Sequence, residues 1–353
     1  MISFINPDIS KNDAKIVYNQ ILSGYINEGN KTIELANQFS KLIGSKYAIP
    51  TTNCTTAIAI SLMSLGIKNK EVIIPDITMI GTAYAILQSE NIPVIADVSK
   101  KNGLLLFHEL EKKFSKKTAA VVVVNYTGRD ALNKEIKSFC KLKNLKIIED
   151  CAGSLGSKSP SNKDINLGTR GDFGCFSFAS TKIAVSGQGG MLITNNKDLY
   201  LKAMKIKDWG RGLKKGMHHY NVGYNFKFND ILASLLISQL NKLDKLILKK
   251  RKIYNFYRKK INNLIFADTD FKGYVPWYVE ITGLNKINLL KKNKIGFSRL
   301  WPPLHMQRGL RSYINNSDTY KNSKYLYKNN LWLPSSTKLK TGELDFICKV
   351  LSK

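Results

Sequence analysis

Between residue 32 and about residue 200 the chain alternates short apolar runs with stretches whose apolar positions recur at helical spacing. "KYAIPT" (46–51) leads into "TTAIAISLMSLGI" (55–67), "EVIIPD" (71–76) precedes "TAYAILQSE" (82–90), and "IPVIADV" (92–98) follows. "AAVVVVNYTG" (119–128) is β-branched and unbroken, as a strand buried on both faces should be. A helix over "KEIKSFCKLKN" and a strand over "LKIIED" (145–150) continue the series. In "FSFASTKIAVSGQGGMLITNN" (176–196) a strand, a glycine turn and a second strand are expected. This alternation predicts an α/β fold, a mostly parallel sheet covered by helices.

After residue 200 the texture changes. Residues 229–264 read as one long amphipathic helix or a bent pair. Beyond them, strand-like "YVPWYVEITG" and helical "TGELDFICKVL" suggest a smaller α+β unit. At 353 residues the chain is long for one compact unit. The expected division is a large domain with an amino-terminal arm over 1–245 and a small carboxy-terminal domain over 246–353.

Composition changes this picture little. Hydrophobic content of 43% is that of an ordinary globular protein. No stretch approaches the apolar length of a membrane span, and "MISFINPDIS" lacks a charged-then-apolar leader, so a cytoplasmic protein is expected. The five cysteines are scattered without a C-x-x-C pair, and there are only four histidines. Free, partly buried thiols and no metal site are the expectation. The formal charge of +29 could attract nucleic acid, a membrane surface or small anions. The lysines are dispersed, however, whereas a nucleic-acid surface would gather basic and aromatic residues on one face.

In open α/β sheets ligands bind beyond the carboxyl ends of the strands. Three stretches end there. "PTTNCTTA" (50–57) starts a helix whose free amides, with the hydroxyls of Thr55 and Thr56, would favour a phosphate; many helices start this way merely to be capped. "IIEDC" (147–151) ends a strand in two acids, which could be a helix cap, a metal ligand or a partner for a cationic ring nitrogen. The third stretch carries Lys182 ahead of its glycines, the reverse of a P-loop. A lysine amine held in a cleft loses charge by desolvation and becomes a nucleophile toward an aldehyde. Pyridoxal phosphate (PLP) needs such a lysine, an acid for its ring nitrogen and a phosphate cup. All three parts are present.

Longer strings carry a resemblance. "GNKTIELANQFSKLIGSKYAIPTTNCTTAIAISLMSLGIKNKEVIIPDIT", "IIEDCAGSLG", "GTRGDFGCFSFASTKIAVSGQGGMLITN", "VGYNFKFNDILASLLISQLNKLD", "GFSRLWPPLHMQ" and "LWLPSS" resemble, in order, the DegT/DnrJ/EryC1/StrS family of PLP-dependent sugar aminotransferases. The resemblance implies the aspartate-aminotransferase-like fold type I, and a homodimer with shared active sites. It implies amino transfer from glutamate to a keto group of a nucleotide-linked deoxysugar. Lys182 would carry the cofactor and shuttle the proton, and Asp150 would hold the ring nitrogen protonated. Cys54, Thr55 and Ser177 would bind the phosphate, which Asn225 would reach across the dimer. Arg299 and His305, in a segment similar to perosamine synthases, would lie near the substrate. Met79 stands where the family has an aromatic residue on the cofactor ring, and Gly153 where it has Gln or His. Trp209 stands for a common histidine and Lys227 for the usual arginine. A related sugar dehydratase would replace the lysine by histidine, so Lys182 argues for the aminotransferase; a silent PLP-binding homologue is the other alternative.

Overall fold

The computed structural model describes residues 1–211, 218–261, 265–266, 273–314 and 318–352. Five parallel strands come first: β1 (Tyr47–Thr51), β2 (Glu71–Pro75), β3 (Ile92–Ala96), β4 (Thr118–Val124) and β5 (Lys146–Asp150). A hairpin of β6 (Lys158–Ser159) and β7 (Asn162–Asn166) precedes β8 (Phe173–Ser177) and β9 (Gly190–Thr194). The central sheet has the order β1-β9-β8-β5-β4-β2-β3, and β9 alone runs against its neighbours. That reversal needs no helical crossover, so a loop suffices between β8 and β9. The valines of β4 are all buried, as their unbroken apolar run requires.

Helices α1 (Lys11–Leu22), α2 (Asn30–Ile43), α3 (Cys54–Ser64), α4 (Gly81–Gln88), α5 (Phe107–Lys113), α6 (Lys134–Leu142) and α7 (Lys197–Lys207) surround the sheet. The expected long helix is a bent pair, α8 (Asp230–Leu240) and α9 (Leu243–Lys260); residues 262–264 of that prediction lie outside the described residues. Their surroundings differ. α8 is apolar nearly all round and packs with α1 and α2, where buried Asp230 accepts hydrogen bonds from the amides of Gly29, Lys31 and Thr32. α9 is amphipathic: Leu243 and Leu246 belong to the core under the large sheet, Ile253, Tyr254 and Tyr257 to a second core.

That second core lies beneath an antiparallel sheet, ordered β10 (Ile265–Phe266), β11 (Val279–Thr282), β13 (Asn330–Leu333), β12 (Ser298–Arg299). Helices α10 (Ile287–Lys292), α11 (Lys321–Asn329) and α12 (Thr341–Leu351) complete it. The strand expected over 274–283 is regular only from Val279. Its first half crosses to the large unit instead, where the Val275 amide donates to Ser157 Oγ (3.0 Å) and the Trp277 amide to Thr127 O (3.3 Å). Gly128 makes this approach possible, since a Cβ there would stand 2.2 Å from Val275 O. A buried ion pair, Arg129 to Glu280 at 3.1 Å, ties the same two units. All five cysteines are free and buried. Among the described residues no helix is long and apolar enough to cross a membrane, and no three His, Cys, Asp or Glu side chains are grouped to hold a metal ion.

Candidate active site

The carboxyl ends of β2, β4, β5 and β8 open onto a cavity of about 400 Å³, closed on its far side by the small unit and by Phe4 and Ile5 of the amino-terminal arm. Asp150, the last residue of β5, is buried in its floor. The carboxylate accepts from Thr82 Oγ1 (2.9 Å) and the Ala152 amide (3.0 Å), with Cys54 Sγ at 3.8 Å. Burial pushes this carboxyl up from its ordinary value, against the pull of those two donors and of the Lys182 charge. Glu149, one residue earlier, points to the opposite face and binds the amides of Gly168, Arg170 and Gly171.

Lys182 follows β8 and also lines the cavity. Desolvation lowers its amine from 10.5 to about 8, while Cys54 and Asp150 act in the other direction. Its Nζ lies 3.3 Å from the ring centre of Trp277, on the small unit. The third part is the amino terminus of α3. Asn53 caps it by accepting from the Thr56 amide (2.9 Å), which leaves the amides of Cys54 and Thr55 without a helical carbonyl to bond. Cys54, Thr55 and Ser177 all line the cavity. Burial, then the neighbouring Asp150 charge, raises the Cys54 thiol well above its ordinary range, so it is a neutral wall group. The glycines after Lys182 serve different ends: Gly187 takes a left-handed turn (φ 82°) with open space around it, whereas a Cβ on Gly190 would stand 2.3 Å from the Asn53 carbonyl carbon.

Met79 stands at the mouth, half exposed, with its sulfur accepting from the Gly81 amide at 3.0 Å. Beside Gly153 the indole of Trp277 fills the space a side chain would take. Arg299 and His305 do not line the cavity. Arg299 is exposed and stacks on Tyr327 at 4.8 Å, because alternation along β12 turns Ser298 inward and its neighbour outward. His305 Nδ1 is bound to Asp76 Oδ2 (2.6 Å), and its ring stacks on Tyr320 at 4.4 Å. Asn225 is exposed and bridges to Asp208; Lys227 Nζ lies 2.9 Å from the Asp208 carboxylate and 5.6 Å from the Trp209 ring centre, away from the cavity. A second hollow, of about 340 Å³ between α2, β1 and α7, contains none of the cavity's reactive groups.

Thr82, Asn125 and Trp277 also line the cavity, and no local pattern marks them as site residues. Thr82 reads as a helical residue, and only the fold brings it from α4 to the end of β5. Trp277 reads as one aromatic in a strand.

Fold and site together define an α/β protein that gathers an amine, a carboxylate and a helix amino terminus at the carboxyl edge of its sheet. Residues 7–352 match the DegT/DnrJ/EryC1/StrS aminotransferase family, and the chain belongs to that family. It is 29% identical to the GDP-perosamine synthase of Escherichia coli O157:H7, over 96% of this chain and 97% of that one. It is 28% identical to EpsN of Bacillus subtilis (strain 168), provisionally named a pyridoxal phosphate-dependent aminotransferase, over 89% and 85%. Among solved structures it is similar to Helicobacter pylori PseC, an aminotransferase of pseudoaminic acid biosynthesis, with a TM-score of 0.91, 22% identity and coverage of 99% and 98%. The α/β architecture and the aminotransferase class expected from the sequence are thus those of the family.

Proposed function

We propose that the protein is a PLP-dependent aminotransferase that carries an amino group from glutamate to a keto group of a nucleotide-linked deoxysugar. The observation that carries this reading is the single cavity shared by Lys182, Asp150 and the first turn of α3. The donor set suits PLP: a desolvated amine for its aldehyde, a buried carboxylate for its ring nitrogen, and two unpaired amides with a serine for its phosphate. When bound, the cofactor supplies a conjugated ring that takes up electron density from the reacting carbon.

The chain's own residues would do the rest. Asp150, kept in a dry floor and oriented by Thr82 and Ala152, holds a proton on a ring nitrogen. Lys182 Nζ, neutral above about pH 8, would take the proton from the donor's α-carbon in the first half-reaction and would give a proton to the acceptor's carbon in the second. Trp301, Trp332 and Tyr126 form an apolar wall suited to the carbon face of a deoxysugar. The GDP-perosamine synthase likeness favours a GDP-linked sugar. The net charge of +29 would draw in a doubly charged nucleotide sugar. On this reading the chain works as a homodimer, with Asn225 reaching the partner's phosphate site from the surface, and Arg299 and His305 act from outside the cavity wall.

The test is a visible absorption spectrum of the protein with PLP, then with glutamate, then with candidate keto-sugar nucleotides. A band that falls with glutamate, recovers with one sugar and is absent in Lys182→Ala supports the reading. Transamination retained by Lys182→Ala would sink it.

A further inference from the structure

We propose that Trp277 is the positioning residue of this cavity, its indole filling the space above Gly153 and its ring face seating the amine of Lys182. The inference rests on reading the cavity as the PLP site.

Gly153 and Trp277 interlock. A Cβ on Gly153 would stand 2.5 Å from Trp277 Cε3 and 3.2 Å from Cδ2 and Cζ3, so no side chain fits there while the indole does. The indole has no freedom to withdraw. Its Nε1–H donates to the carbonyl of Thr181 (2.7 Å), the residue before Lys182. Its own carbonyl accepts from the buried amine of Lys250 (2.7 Å), and its amide donates to Thr127 O (3.3 Å). It is thus pinned at once to the lysine loop, to α9 and to the loop after β4. On the face so fixed lies Lys182 Nζ, 3.3 Å from the ring centre. An aromatic face against a partly desolvated amine attracts its ammonium form and gives a flexible lysine one preferred seat. The glycine at 153 and the tryptophan at 277 therefore form one unit: a smaller side chain in one position is the condition for a large ring from the other.

The test titrates wild type, Gly153→Gln, Trp277→Leu and the double variant with PLP, reading the dissociation constant from the visible band and the fold from circular dichroism. Gly153→Gln alone is expected to weaken binding about tenfold or more, by clash with the indole. In the double variant the clash is gone, and binding tighter than in Gly153→Gln alone is expected, a non-additive pair. A second readout is the pH midpoint of cofactor attachment at Lys182, trapped with borohydride and located by mass spectrometry. Trp277→Leu, which removes the face that favours the charged amine, should lower it by about half a unit or more. Trp277→Phe, which keeps a face, should hold it near the wild-type value. Additive effects of the two substitutions, or an unmoved midpoint in Trp277→Leu, overturn the proposal. If Gly153→Gln fails to fold, the midpoints of Trp277→Leu and Trp277→Phe decide it. A wild type that forms no band abolished by Lys182→Ala removes the cofactor reading and the proposal with it; a normal wild-type band with additive variants removes the proposal alone.

Discussion

Glu149 and Asp150 are adjacent acids at the end of one strand, and the pleat sends them to opposite faces. Glu149 satisfies three loop amides and an arginine; Asp150 faces the cavity with two donors of its own. The two should separate experimentally. Glu149→Gln should lose about 1–3 kcal/mol of unfolding free energy in denaturant titration, because buried amides lose a charged acceptor. Asp150→Asn should melt near the wild-type temperature, while its transamination rate falls by about a hundredfold or more, the carboxylate charge being gone from the ring-nitrogen position. Lys182 supplies a pH signature. Its amine, lowered from 10.5 to about 8, is mostly charged below that point. Cofactor attachment should therefore accelerate about tenfold per pH unit below pH 8 and level off above it, as stopped-flow absorbance would read. Asp150 ends a strand that the apolar runs predict and Lys182 lies in the loop just after another, so their positions are legible in the sequence. Which of the two acids faces inward is a matter of register: local pattern leaves it open, the family resemblance named Asp150, and Asp150 is the one that lines the cavity.

At the scale of elements, α9 is the instructive case. Its apolar stripe reads plainly as a helix, yet Lys250 sits inside that stripe, buried, with the Trp277 carbonyl as its bond partner. Desolvation lowers this amine from 10.5 to about 7. Between those values the unfolded chain holds the proton that the folded chain releases, so stability rises with pH across that window. Lys250→Met removes the term. The melting temperature of wild type should accordingly climb more steeply from pH 7 to 10 than that of Lys250→Met, in matched scans; equal slopes would mean the amine stays charged in the fold. The bend before α9 and the late start of β11 within 274–283 are less legible. Both follow from long-range packing, of α8 between α1 and α2 and of residues 274–278 against Thr127 and Gly128, which no local pattern encodes.

Over the whole molecule, two of the hydrophobic cores share helix α9, and we propose the division near residue 245, within it. The Arg129–Glu280 pair crosses between the units, with Asn330 Nδ2 donating to the other carboxylate oxygen at 2.9 Å. Arg129→Met should cost about 3–5 kcal/mol in chemical unfolding, since Glu280 would keep a buried charge without its cation. Restoring much of that loss by adding Glu280→Leu would identify the unpaired charge as the cause. The alternation of strands and helices made the large unit readable from its sequence. The small unit was readable only in part: α12 and the second half of the 274–283 run lie where the pattern put them, but two of its strands are two residues long and its contacts span the chain.

The five buried thiols give this architecture an internal clock. Cys54, Cys140, Cys151 and Cys175 report from the large unit, Cys348 from the core beneath the small sheet. Apart from Cys54, whose side chain lines the cavity, a thiol reagent reaches each only when the surrounding structure opens, so labelling rates resolved by peptide mapping time the opening of the two units separately. Cys348 labelled in step with Cys140, Cys151 and Cys175 would mean that the shared helix makes them a single cooperative body; Cys348 labelled before them would mean that the roof of the cavity lifts while its floor stays shut.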